Sequence, residues 1–135
     1  MTKKLAFTGL FCLATFILFA QKKQDTQKES INFTALVYDY GTIDVGSPGN
    51  SVFKFTNTMK KPLVIYNVKP SCGCTVANWT KTPILPGKTG VITLHYNTKI
   101  PGSFNKTITV SSNATNATVV LRIKGNVIAL QKFNN

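Results

Sequence analysis

The stretch Pro70-Ser71-Cys72-Gly73-Cys74-Thr75 sets two thiols one residue apart, and the remaining cysteine of the chain is Cys12. Three chemistries suit such a pair: a structural disulfide, a dithiol that exchanges electrons with other thiols, and a pair of soft metal ligands. A bridge requires Cα atoms within about 6.8 Å, and residues two apart on an extended strand already stand roughly 6.6 Å apart. The chain must therefore bend, which Gly73 permits. Closing so short a loop stabilises a fold by only about 1.6 kcal/mol through chain entropy, so the pair is a weak staple. Exposed disulfides are the readily reduced ones, which favours redox exchange. Against it, familiar dithiol oxidoreductases place C-x-x-C at a helix N-terminus, and this sequence offers no such helix. Lys69 supplies a nearby positive charge.

As metal ligands, Cys72 and Cys74 make half of a tetrahedral zinc site. The rest of the chain adds a single histidine, His95, and few carboxylates. Copper(I), which accepts few sulfur ligands, fits better. No cofactor is expected, with copper(I) on Cys72 and Cys74 as the alternative. Ser71, Gly73 and Thr75 complete the motif. Trp79 is expected to cover the cysteine loop, with a ligand-stacking role as its alternative.

Other chemistry is sparse. His95 falls on the strand phase opposite Ile92, Leu94 and Tyr96, which makes it a solvent-facing residue. Asp39, before Tyr40-Gly41, caps a turn, and no second acid stands near it to form an acid/base pair. Glycines occur singly in turns, so no loop cradles phosphate. The N-x-[ST] triplets at Asn78, Asn105, Asn113 and Asn116 are assigned no function.

The elements that must position the cysteines are short and β-rich. From Phe33 onward, apolar and polar residues alternate with a period of two, interrupted by proline and glycine turns, and no long stretch has helical periodicity. Strands are expected over Phe33–Tyr38, with an edge piece at Thr42–Val45, and over Ser51–Asn57, Leu63–Lys69 and Thr75–Trp79. Others follow over Val91–Asn97, Phe104–Ser112 and Thr118–Val127. Gly87 and Gly90 mark an ordered bend with Pro83 and Pro86. About seven strands at this spacing predict an all-β, immunoglobulin-like antiparallel β-sandwich, with a small barrel as the competing architecture. The cysteines stand too close together to bridge two sheets as antibody cysteines do.

The chain begins with Lys3 and Lys4, runs uncharged from Leu5 to Ala20, and turns polar at Gln21-Lys22-Lys23. This is the order of a secretory signal peptide, and the run is shorter than the roughly 20 residues that span a bilayer. The expected organisation is a signal peptide over 1–20, a flexible polar leader over 21–31, the immunoglobulin-like domain over 32–130 and a tail over 131–135. Cleavage after Ala20 removes Cys12 and leaves Cys72 and Cys74 to each other. No stable membrane span then remains.

The formal net charge is +12, carried by scattered lysines. Such a surface is drawn to anionic polymers. It has no arginine-rich helix or aromatic ladder for reading nucleic acid.

The blocks DYGTIDVG, FKFTNT, KPLVIYNVKPSCGCTVANW, PILPGKTGVITLHYN, PGSFNKTITVSSN and LRIKGNV, from about Tyr38 to Val127, resemble an exported bacterial family called domain of unknown function 1573. The resemblance implies an immunoglobulin-like sandwich, akin to major sperm protein and Hydin-type domains, and no established activity. Two departures stand out: Met59 occupies a turn where the family usually has glycine, so a positive φ there would be strained, and residues 44–50 carry less charge than expected. The sequence thus reads as an exported, non-catalytic module for binding or assembly in the cell envelope, its partner a protein or an anionic envelope polymer. The alternative is a thiol-disulfide or copper(I) protein acting through Cys72 and Cys74.

Overall fold

A computed structural model describes residues 29–130. The expected signal peptide with Cys12, the leader up to residue 28 and the tail over 131–135 lie outside the described residues. The strands are β1 (Ile31–Phe33), β2 (Val37–Asp44), β3 (Asn50–Asn57), β4 (Ile65–Pro70), β5 (Thr75–Trp79), β6 (Thr89–Tyr96), β7 (Gly102–Ser112) and β8 (Thr118–Ile128). They form two four-stranded sheets, ordered β1-β3-β6-β5 and β2-β8-β7-β4. The expected all-β sandwich is what the chain builds. Every pair is antiparallel except β2 with β8, which runs parallel.

Alternation along the strands creates the core. Phe53 and Phe55 on β3 face Ile92, Leu94 and Tyr96 on β6 from within one sheet, and Ile108, Val110, Leu121 and Ile123 line the other. Each such side chain, fully buried, is worth roughly 1.5–3 kcal/mol. Thr93 and His95 take the outward phase of β6, and His95 bonds to Asn50 Oδ1 through Nδ1 at 2.9 Å.

Three local expectations are corrected. The first strand is two strands: the chain leaves one sheet after Phe33 and enters the other at Val37. Thr34 N–H still donates to Lys54 O (3.0 Å), while Leu36 O already accepts from Arg122 N–H (2.9 Å). Ile31, expected at the end of the leader, opens β1 and is 3% exposed. Gly90 is not in a bend but within β6, opposite Phe55; a Cβ there would lie 2.4 Å from the Phe55 ring, so the missing side chain makes room for the core aromatic.

Asparagine side chains tie the loops to the strands. Asn57 is fully buried at the end of β3. Its Nδ2 donates to Lys61 O (2.9 Å) and Ile84 O (2.8 Å), and its Oδ1 accepts from Met59 N–H (2.8 Å). Its backbone N–H donates to Lys88 O and its C=O accepts from Gly87 N–H. Met59 therefore turns without a left-handed backbone, since no non-glycine described residue has positive φ, and its side chain is 2% exposed in the core. Asn116 meets Ile31 the way a neighbouring strand would, Oδ1 accepting from Ile31 N–H (3.0 Å) and Nδ2 donating to Ile31 O (2.9 Å). Asn113 does the same between Val64 N–H (2.8 Å) and Pro62 O (3.0 Å).

On β2, Asp39 Oδ1 accepts from Gly41 N–H at 2.8 Å, as expected of a turn cap, and Oδ2 pairs with Lys124 at 3.4 Å. The Gly41 amide, helped by Lys124 and opposed by slight desolvation, lowers the Asp39 pKa.

Two outcomes follow. Asn57→Ala strands three backbone partners, two of the bonds buried, and should cost about 3 kcal/mol, against about 1 kcal/mol for Asn116→Ala, read by urea unfolding. Asp39 should titrate by NMR below the ordinary value of about 3.9. A depressed folded-state pKa contributes stability above the unfolded value and loses it as pH falls through the folded one, so Asp39→Asn should flatten the acid limb of the stability curve in that window.

Candidate functional site

The cysteine loop lies where the chain passes from one sheet to the other. β4 forms the edge of the second sheet and β5 the edge of the first. Beyond Pro70, paired with Ile108, Ser71 N–H donates to Thr107 O (2.8 Å) and Ser71 Oγ accepts from Thr107 N–H (3.2 Å). On the other side Cys74 O accepts from Asn97 N–H (2.8 Å), extending the β5–β6 ladder by one residue past Thr75 and Tyr96. Ser71 thus extends one sheet and Cys74 the other, with Cys72 in the turn between them. Their sulfurs are bonded, with Cα atoms 5.3 Å apart. As expected, the pair does not bridge the sheets through the core; the bond closes the turn at the seam where the two edges meet.

The loop needs little from Gly73. Its φ is not positive, and a Cβ added to it would meet nothing within 4 Å. Gly73 is exposed, Cys72 and Cys74 are half-buried, and Cys74 packs against the core. Thr75, 4% exposed, has a hydroxyl with no hydrogen-bond partner among the described residues.

Trp79 does not stand over this loop, which corrects the expected cover. On the continuous strand β5, Thr75 pairs with Tyr96 and Trp79 with Ile92, so some 13 Å of extended chain separates them. Its ring packs against the core, and Lys81 Nζ lies 2.9 Å from the ring centroid, occupying the face a stacked ligand would use.

Among the described residues, no group of three or more His, Cys, Asp or Glu could hold a metal ion. Copper(I) on the cysteines would require their bond to be reduced first. No described helix is long and apolar enough to cross a membrane.

A second feature, which the alternation did not single out, lies on the opposite side of the sandwich. β1 pairs with β3 only from Phe55 to Asn57, so the outer edge of β3 from Asn50 to Phe53 has no strand beside it among the described residues. Between that edge and β2 is a cleft of about 160 Å³ lined by Thr34, Ala35, Val37, Tyr38, Val52, Phe53 and Lys54. Val37 and Val52 are each 48% exposed. The run Leu36-Val37-Tyr38 beside Val52 was the available sequence signal, but it reads as core until the strand switch is known.

The family model described as protein of unknown function (DUF1573) matches residues 31–127. No curated protein matches the chain. Among solved structures, a protein of unknown function from Porphyromonas gingivalis W83 is similar at TM-score 0.64 and 15% identity, over 78% of this chain and 51% of that one, so this chain spans about half its length. The ASH/PapD-like domain 7 of human CEP192 matches at TM-score 0.64 and 7% identity, over 96% of this chain and 100% of that domain. The CsuC-CsuE chaperone-tip adhesion subunit pre-assembly complex of Acinetobacter baumannii matches at TM-score 0.54 and 8% identity, over 73% of this chain and 57% of that one. At these identities the likeness concerns the fold.

Two substitutions in the loop have opposite expectations from a rigid-motif view. Gly73→Ala should change stability by less than about 0.5 kcal/mol, since its Cβ enters open space. Thr75→Val removes a buried, unpartnered hydroxyl and should leave stability unchanged or raise it by about 1 kcal/mol, both measured by urea unfolding.

Proposed function

The chain belongs to the DUF1573 family of proteins of unknown function, and we propose that it is an exported, non-catalytic immunoglobulin-like module that binds a protein partner in the cell envelope by strand addition. The observation that carries this reading is the outer edge of β3 from Asn50 to Phe53, which no described strand pairs, beside the apolar cleft formed with β2. An extended peptide laid along Asn50–Phe53 would satisfy the free backbone groups of that edge, and alternate side chains would enter the cleft, which is how exposed sheet edges recognise partners. Export is supported by the positive, apolar, polar order of residues 1–24. One structural neighbour is a chaperone in complex with a pilus subunit, an analogy from fold alone. The many lysines leave an anionic envelope polymer as the competing partner class.

A photo-crosslinking residue at Val52 should give a discrete protein adduct in cells, and Val37→Asp, which leaves the urea midpoint within about 0.5 kcal/mol, should abolish it. Tyr66, 64% exposed on the far edge strand β4, serves as control. An equal adduct at Tyr66, or salt-sensitive polymer binding with none at Val52, would sink the strand-addition reading. Mass spectrometry of the exported fraction should find Gln21 as the first residue; an intact amino terminus confined to the cytoplasm would sink export.

A further inference from the structure

We propose that the Cys72–Cys74 disulfide is a redox site that accepts two electrons from the dithiol of a client protein, with Cys72 as the sulfur attacked and Lys106 as its positioning residue. The site lies on the opposite side of the sandwich from the β2–β3 cleft and stands or falls independently of the binding role.

Three observations carry it. First, the loop's course is fixed by hydrogen bonds that do not involve sulfur: Ser71 with Thr107 on one side, Cys74 O with Asn97 on the other, and Thr75 N–H to Cys72 O at 3.4 Å. The frame therefore persists when the bond opens, as an exchanging disulfide requires. Second, access is open at Gly73, where an added Cβ would meet nothing, and Cys72 lies outside the core cluster while Cys74 packs against it. Third, the β4–β7 register pairs Lys69 with Thr109 and Pro70 with Ile108, Ser71 N–H reaches Thr107 O just beyond it, and Lys106 is the next residue of β7 along the side where the cysteine loop begins. Lys106 is half-buried on the inward phase of β7, between Phe104 and Ile108 and across from Ile123. A lysine on the core-facing side of the strand at the foot of the cysteine loop is a cation available to thiolate charge developing there.

The step balances as ordinary thiol-disulfide exchange. A client thiolate attacks Cys72 Sγ, forming a client–Cys72 disulfide as the Cys72–Cys74 bond breaks, and Cys74 leaves as a thiolate that takes a proton. The second client thiol, deprotonated, attacks the client sulfur of that mixed disulfide. Cys72 leaves as a thiolate, whose charge Lys106 balances. The client is oxidised to a disulfide by two electrons, and Cys72 and Cys74 end as the reduced dithiol.

The test uses the exported-length chain and a synthetic peptide carrying two cysteine thiols as the client. Alkylation and mass analysis should show two thiols appearing on the protein for each disulfide formed in the peptide. A bond that stays oxidised in the presence of excess peptide, or one that dithiothreitol reduces while peptide does not, would overturn the proposal. In the Cys74→Ser variant, Cys72 should react with an aromatic disulfide reagent with a pH midpoint about one unit below an ordinary thiol; Lys106→Gln should raise that midpoint by the same amount and slow the reaction at neutral pH about threefold, with Lys106→Arg restoring both. Cys72→Ser should leave Cys74 slow. An unchanged midpoint in Lys106→Gln would remove Lys106 from the site, and a faster Cys74 would overturn the assignment of the attacked sulfur. The wild-type peptide assay needs no variant to fold.

Discussion

A buried primary amide organises one end of this domain. Asn57 ends β3, and from inside the core it satisfies three backbone groups drawn from the turn after β3 and the loop before β6. A buried amide left with unused donors would oppose folding. Here both Nδ2 hydrogens and Oδ1 are engaged, so the residue can be enclosed and in turn dictates the path of two loops. The isolated bridge between Leu63 and Ile84 lies directly beyond it, with Leu63 fully buried. Asn113 and Asn116 repeat the device on the β7–β8 hairpin, lending side-chain amides to backbones that have run out of strand partners.

Much of the architecture was legible because period-two alternation reports which face of a strand is buried. The phases of β3, β6 and β8 follow directly from Phe53 and Phe55, from Ile92, Leu94 and Tyr96, and from Leu121 and Ile123. Alternation does not report which strand lies alongside. Thr34-Ala-Leu36 contains neither glycine nor proline, so nothing local marks the switch between sheets, and the parallel pairing of β2 with β8 depends on residues some 85 positions apart. Gly90 looked like a turn because its reason for being glycine, the Phe55 ring, belongs to another strand. The asparagine bridges were hidden for a similar reason: a side chain that substitutes for a strand neighbour has no pattern until the gap it fills is known.

The motif itself was plain in the sequence, and its setting was not. Spacing alone permits a staple, a dithiol or a pair of soft ligands. The hydrogen bonds on either side place the cysteine loop between the two sheets, Ser71 tied to one and Cys74 to the other, and the β5–β6 ladder frees Trp79 from its expected place above it. The sandwich thus has two unlike sides. On one, short β1 and the strand switch leave apolar backbone edge open; on the other, β4 and β5 are joined so tightly that sulfur spans the seam.

The parallel contact between β2 and β8 bears on the order of events during synthesis. β2 emerges early, yet among the described residues its ladder is with β8, and Ile31 waits for Asn116 across the molecule. Contacts so distant in sequence form late. A nascent chain lacking β8 would leave its second sheet without an interior strand and β2 without its partner. For a chain read as crossing a membrane before it folds, this is a built-in delay: the polypeptide stays threadable until β8 has been made.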